Sequence, residues 1–155
     1  MERSGKQRLL MAGVIGVAGA LAAVGTVGPA DAQHGGSELH FVVQTTATFV
    51  DVGQSGESQG DRSAESGTVF DRDGKEVGRA MADCVLVPPP THYQCAAAIL
   101  LERGQIMTLG GFQYDPARPF TLAVVGGTGD YAGASGLAEV TTVAGSGYKV
   151  DIHLR

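Results

Sequence analysis

The sequence predicts an all-β domain that closes into an eight-stranded antiparallel barrel, and three observations carry that prediction. Between residues 39 and 155, short β-branched and apolar runs recur, set apart by Gly, Pro and Ser punctuation. No long 3.6-residue periodicity occurs in that span, which argues against amphipathic helices. The last run alternates, with Tyr148, Val150, Ile152 and Leu154 on one face and Lys149, Asp151, His153 and Arg155 on the other. Such strands have one wet face, as in antiparallel sheets. Eight of them remove their exposed edges by closing, and an eight-strand barrel is just wide enough to be filled by side chains or to hold one small ligand.

The expected strands, in order, are Leu39 to Val52, Gly67 to Asp71, Glu76 to Val87, Thr91 to Glu102, Gln105 to Gln113, Phe120 to Val125, Gly136 to Val143 and Tyr148 to Leu154. Asp73-Gly74, Arg103-Gly104, Gly126-Gly127 and Gly145-Ser146-Gly147 sit where tight antiparallel connections need positive φ. The polar stretch Gly53 to Ser66 is expected to be a long mobile loop, placed to act as a lid. In the third and fourth strands, Ala80, Ala82, Cys84, Leu86, Tyr93, Cys95, Ala97, Ile99 and Leu101 share a small or apolar face, and Arg79, Asp83, Gln94 and Glu102 share the other. Small residues on an inner wall leave volume for a ligand but equally allow tight packing against bulky neighbours.

The chain of 155 residues has room for one modest domain. Its N-terminus reads as an export signal: Arg3, Lys6 and Arg8, an uncharged run from Leu9 to Gly28, then Ala30-Asp31-Ala32 before Gln33. Residues 1–32 are the expected signal peptide, 33–38 a short tail and 39–155 the barrel. The competing reading is an uncleaved membrane anchor, since about 20 apolar residues just span a bilayer. Cleavage implies a secreted protein without stable membrane insertion. The formal net charge of −5 provides no basic footprint for nucleic acid.

Export changes the reading of the only two cysteines, because an oxidising compartment lets thiols pair and persist. Cys84 and Cys95 are too far apart for a C-x-x-C redox or zinc pair. Three consecutive prolines, Pro88 to Pro90, lie between them and must break any strand. A turn about Pro89 and Pro90 would set the two cysteines opposite each other across a hairpin. A cross-strand disulfide there is worth about 3 kcal/mol; a free reactive thiol is the alternative.

The most specific string runs Val124-Val125-Gly126-Gly127-Thr128-Gly129-Asp130-Tyr131-Ala132-Gly133-Ala134-Ser135-Gly136. A dinucleotide-binding reading fails, because no helix follows to face a pyrophosphate and the remaining residues alternate as strands. With its flanking strands, the string resembles the signature of the allene oxide cyclase and dirigent superfamily of calycin-like barrels, and Gly78-Arg79-Ala80 is a weaker second match. The resemblance spans about Leu39 to Leu154. It implies an eight-stranded antiparallel barrel with an apolar cavity, no cofactor, and a trimer or dimer. Its members steer cyclisation or coupling of reactive hydrophobic intermediates. The resemblance also directs Cys84 into the cavity and sets Arg118 near an arginine of dirigent proteins, with Asp115 the nearest match to their aspartate. The glutamate of the plant cyclases' first strand is missing, where this chain offers only Gln44 with Thr45, Thr46 and Thr48. That absence argues against strict allene oxide cyclase activity.

Thr45, Cys84, Tyr93, Tyr114, Arg118 and Tyr148 are therefore the candidate cavity residues. Histidines 34, 40, 92 and 153 show no metal-ligand spacing. Asp130 and Tyr131 read as a turn-stabilising carboxylate and a packed ring, and Asp71-Arg72-Asp73 as a solvated turn. No nucleophile elbow occurs, and the expected inward faces hold almost no carboxylate for a glycosidase pair. What remains is a cavity protein whose chemistry comes from shape and a few hydrogen bonds, holding one folded conformer of a flexible reactant by proximity, and the resemblance implies an isomerase or cyclase acting on a hydrophobic, reactive substrate. The alternative is a non-catalytic carrier of small hydrophobic ligands or a structural barrel of the envelope.

Overall fold

A computed structural model describes residues 36–88, 91–145 and 147–155. The expected signal peptide, His34 and the turn at Pro89 and Pro90 lie outside the described residues. Eight strands follow in chain order: β1 (Glu38–Val50), β2 (Arg62–Phe70), β3 (Glu76–Val87), β4 (His92–Leu101), β5 (Gly104–Gln113), β6 (Phe120–Gly129), β7 (Gly136–Thr142) and β8 (Tyr148–Leu154). Each pairs antiparallel with the next, and β1 pairs β8 from Glu38↔His153 to Val43↔Tyr148, closing the barrel. The described residues contain no helix.

Two segments differ from the sequence expectation. The polar stretch after β1 is a loop only over residues 51–61, because Arg62 to Ser66 already belong to β2, paired with Val50 to Thr46. The glycine string is likewise part of a strand. Gly126-Gly127 is no tight turn, since β6 runs on to Gly129 and pairs β5 from Gly104↔Gly129 to Met107↔Gly126. A side chain at Gly127 would meet Gln105 O at 2.4 Å and Tyr131 O at 2.5 Å; at Gly129, where φ is 60°, it would meet Arg103 O at 2.1 Å. Glycine is thus required by close backbone approach, not by a phosphate. Tyr131 folds back onto the core, while Asp130 pairs with Arg103 at 2.7 Å.

The interior is packed unevenly. Phe41, Val69, Ile99, Ile106, Val124, Ala138, Ile152 and Leu154 form a buried cluster. They come from the start of β1, β5 and β7 and from the end of β2, β4, β6 and β8, which antiparallel pairing brings to one end of the barrel. Ile106, Ile152 and Val69 have no exposed surface. At the opposite end the inward rows are small. Ser63, Cys84 and Cys95 are successive register partners, as are Glu65, Ala82, Ala97 and Thr108. Volume absent from those side chains is volume left inside the barrel.

Candidate functional site

The site is a cavity of about 300 Å³ at this small-residue end. Strand periodicity points alternate residues inward, and the cavity wall takes them from every strand. Thr45 comes from β1, Glu65 from β2, Cys84 from β3, Tyr93 from β4, Phe112 from β5, Phe120 from β6, Val140 from β7 and Tyr148 from β8. Most of the lining is apolar, as in small-molecule sites generally.

Five of the six expected cavity residues line it: Thr45, Cys84, Tyr93, Tyr114 and Tyr148. Arg118 does not. It is exposed in the connection between β5 and β6, where its N–H donates to Asp115 O at 3.1 Å and Asp115 Oδ1 accepts from Ala117 N–H. The polar turn holds both residues outside the lining. Cys84 and Cys95 are direct cross-strand partners with Cα atoms 4.1 Å apart, and their sulfurs are joined in a disulfide. Cys84 therefore contributes wall, and in that state no thiol.

The carboxylates were hidden from sequence reasoning. Glu65 and Glu57 both line the cavity, against the expectation of inward faces nearly free of acid. The sequence pattern puts Glu65 in the polar loop; as part of β2 it alternates inward with Ser63, Gly67 and Val69. Tyr148 Oη donates to Glu65 Oε1 at 3.3 Å, and Ser63 Oγ donates to the same oxygen at 3.4 Å. Burial, and then the Glu65 carboxylate, hold the Tyr148 phenol far above its ordinary range. Tyr148 is accordingly a hydrogen-bond donor and not a base, whereas Glu65 keeps a second oxygen for other partners.

Aromatic rings form the other wall. Phe112 and Phe120 stack with centroids 3.8 Å apart. Tyr93 lies 6.2 Å from Phe112 and meets Tyr114 edge-on at 6.2 Å. In a ring of eight strands β2 stands opposite β6, so the Glu65 strand faces the Phe120 strand across the cavity. Glu57 joins the lining from the loop 51–61. That loop is ordered by buried Asp61, whose Oδ1 accepts from Val52 N–H at 2.7 Å and whose Oδ2 accepts from Ser58 N–H at 2.6 Å. Those bonds, Val52 first, hold the Asp61 carboxyl below the usual carboxylate range. The loop is also tied to β3, because Gly60 N–H donates to Leu86 O and Leu86 N–H donates to Asp61 O. Glu57 thus hangs from an anchored segment. Among the described residues, no cluster of three or more His, Cys, Asp or Glu side chains is disposed to hold a metal ion.

The model of the allene oxide cyclase barrel like domain matches residues 37–154. A solved structure described as pyocyanin demethylase is 30% identical, with a TM-score of 0.70, over 77% of this chain and 100% of that one. The Diels-Alderase AbmU from Streptomyces koyangensis is 12% identical with a TM-score of 0.64, over 77% of this chain and 63% of that one. A pterocarpan synthase dirigent protein is 17% identical with a TM-score of 0.61, over 77% of this chain and 86% of that one. The last two are similar in fold alone. No curated protein matches the chain. With the family model covering the whole barrel, from the start of β1 to the end of β8, the chain belongs to the allene oxide cyclase barrel like domain family.

Proposed function

We propose that this barrel is a cofactor-independent isomerase or cyclase, secreted by the cell, that acts on a reactive hydrophobic small molecule held in its cavity. The observation that carries this reading is the hydrogen bond from Tyr148 to Glu65 inside a largely apolar chamber. A carrier needs only apolar area and shape. A carboxylate beside a phenol that stays protonated is a base and a donor in one place, suited to shifting a proton within a bound molecule. The aromatic wall supplies affinity, at about 25 cal/mol per Å² of apolar surface covered, and fixes one conformer of the reactant, which lowers the barrier by proximity. The relative at 30% identity is named for chemistry on a small molecule, pyocyanin, which favours an enzyme over a passive carrier.

The test is turnover of a panel of reactive polyketide, phenolic and heteroaromatic compounds, scored for isomerised, cyclised or otherwise altered product against buffer. Glu65→Gln is expected to lower the rate by about 10², and Tyr148→Phe by about tenfold, with binding retained. Compounds that bind and emerge unchanged throughout the panel would instead establish a carrier. Secretion is checked separately by the intact mass of the exported protein, expected to begin at Gln33.

A further inference from the structure

The two ends of the barrel differ outside as well as inside. β1, β3, β5 and β7 finish at the hollow end, and each connection there shows solvent an apolar residue: Val52 after β1, Pro88 after β3, Tyr114 after β5 and Val143 after β7. Phe49 and Val50, the last residues of β1, add to them. Phe49, Val50, Val52, Tyr114 and Val143 stand 48%, 45%, 46%, 39% and 42% exposed. At the packed end the connections are Asp71 to Lys75, Glu102-Arg103 and Asp130 to Ser135, which carry most of the charge and no large exposed apolar side chain.

The apolar side chains are held out on fixed backbone. Val52 N–H donates to Asp61 Oδ1 at 2.7 Å, Tyr114 N–H to Thr91 O at 2.8 Å and Val143 N–H to Gly147 O at 3.0 Å. A rim ordered in this way loses little freedom when it docks. It is also continuous with the cavity, since Phe49 and Tyr114 belong to the lining as well. Exposed apolar side chains gathered at one end of a molecule mark a surface that meets a partner or a membrane.

Area and charge choose between those occupants. Five side chains about half exposed amount to on the order of 400 Å², short of the roughly 800 Å² that a stable protein partner covers on each side. They also stand on separate connections, a spacing that a fluid lipid interface fills but a protein surface must match piece by piece. The same connections carry exposed Asp51 and Glu57 and half-buried Asp115 against one cation, Arg118, so an anionic membrane is repelled. We infer that the hollow end docks on a zwitterionic lipid surface, with Val52, Tyr114 and Val143 in the interface and the cavity facing the lipid. Such docking is peripheral and reversible, because these side chains bury less apolar area than one acyl chain. It concerns where the barrel sits, and a carrier would need it as much as an enzyme.

Sedimentation with sucrose-loaded vesicles tests the docking on the exported protein, its N-terminus fixed by intact mass. Wild type is compared with Val52→Ser/Val143→Ser at the rim and with a matched pair on the outer wall, Val42→Ser/Val125→Ser. All four valines are exposed and none lines the cavity; circular dichroism and unfolding midpoints verify that both variants fold. Wild type is expected to be half bound at about 1 mM phosphatidylcholine. The rim pair should bind about tenfold more weakly, and the wall pair should change by less than about twofold. Replacing part of the lipid with phosphatidylglycerol should weaken binding at low salt, and high salt should restore it. Equal binding by all three proteins, whether through a retained run of residues 9–28 or through indiscriminate apolar contact, overturns rim docking. So does binding that grows with anionic lipid, or no binding at about ten times that phosphatidylcholine concentration.

Discussion

The two ends of the barrel have the same strands, the same alternation and the same closure, yet one is solid and the other hollow. At the solid end Ile106, Ile152, Val69 and Leu154 meet at the axis. At the hollow end the same eight strands present Thr45, Ser63, Ala82, Ala97 and the Cys84–Cys95 bridge. The difference teaches that backbone geometry sets only the diameter of an eight-stranded barrel; whether it is core or container is decided by side-chain volume, position by position. It also divides the labour. Stability should reside in one end and chemistry in the other.

The comparison breaks most readily at the solid end. Ile152→Ala leaves a void among fully buried neighbours and is expected to cost about 3 to 4 kcal/mol, measured as a shift of the urea midpoint at constant slope. A cost below about 1 kcal/mol would mean that the solid end is not the stabilising one. At the hollow end the largest contribution should be the disulfide. Replacing Cys84 and Cys95 together with Ala is expected to cost about 2 to 3 kcal/mol, and reductant should have no further effect on that variant.

The loop of residues 51–61 should show a pH dependence that the solid end lacks. The Asp61 carboxyl is held below its usual range in the folded loop, so its stabilising effect is full above the unfolded carboxylate range and is lost as pH falls through the folded value. The protection factors of the Val52 and Ser58 amides, which donate to Asp61, taken relative to the intrinsic exchange rate at each pH, should therefore fall on acidification, while those of Ile106 and Ile152 hold. Asp61→Asn should abolish the dependence, and a parallel loss of protection at both ends would refute it. The smallest expected effect on stability sharpens the contrast further. Ala97→Leu adds bulk to an empty wall, so its midpoint should move by less than about 1 kcal/mol, yet it should remove ligand binding. The same substitution in a packed core would act in the opposite way.

The barrel itself was legible because its strands alternate against a clear apolar contrast, as in Tyr148 to Leu154. That legibility fails at β2, where inward Ser63 and Glu65 differ little in polarity from outward Arg62 and Thr68. A period of two with no apolar contrast looks like a loop, and Glu65 was lost with it. Cys84 and Tyr93 follow from the hairpin face, Tyr148 from the alternation of the last strand and Thr45 from the resemblance, while Tyr114 is offered only by its hydroxyl. Arg118 was misplaced because its match needed a gap in a turn, where chain length decides which way a side chain points. Gly126-Gly127 looked like a turn because close backbone approach and positive φ draw the same residue. Glu57 has no signal at all, since its place depends on Asp61 gathering the amides of Val52 and Ser58, nine and three residues before it.

A barrel stoppered at one end has a single doorway. Any small molecule the cavity takes would then enter and leave at the end away from the packed Ile106 and Ile152, where Glu57 of the loop of residues 51–61 belongs to the lining. The residence time of such a molecule would then be sensitive to the bonds that anchor this loop, which can be altered at Asp61 without touching the strands of the cavity wall.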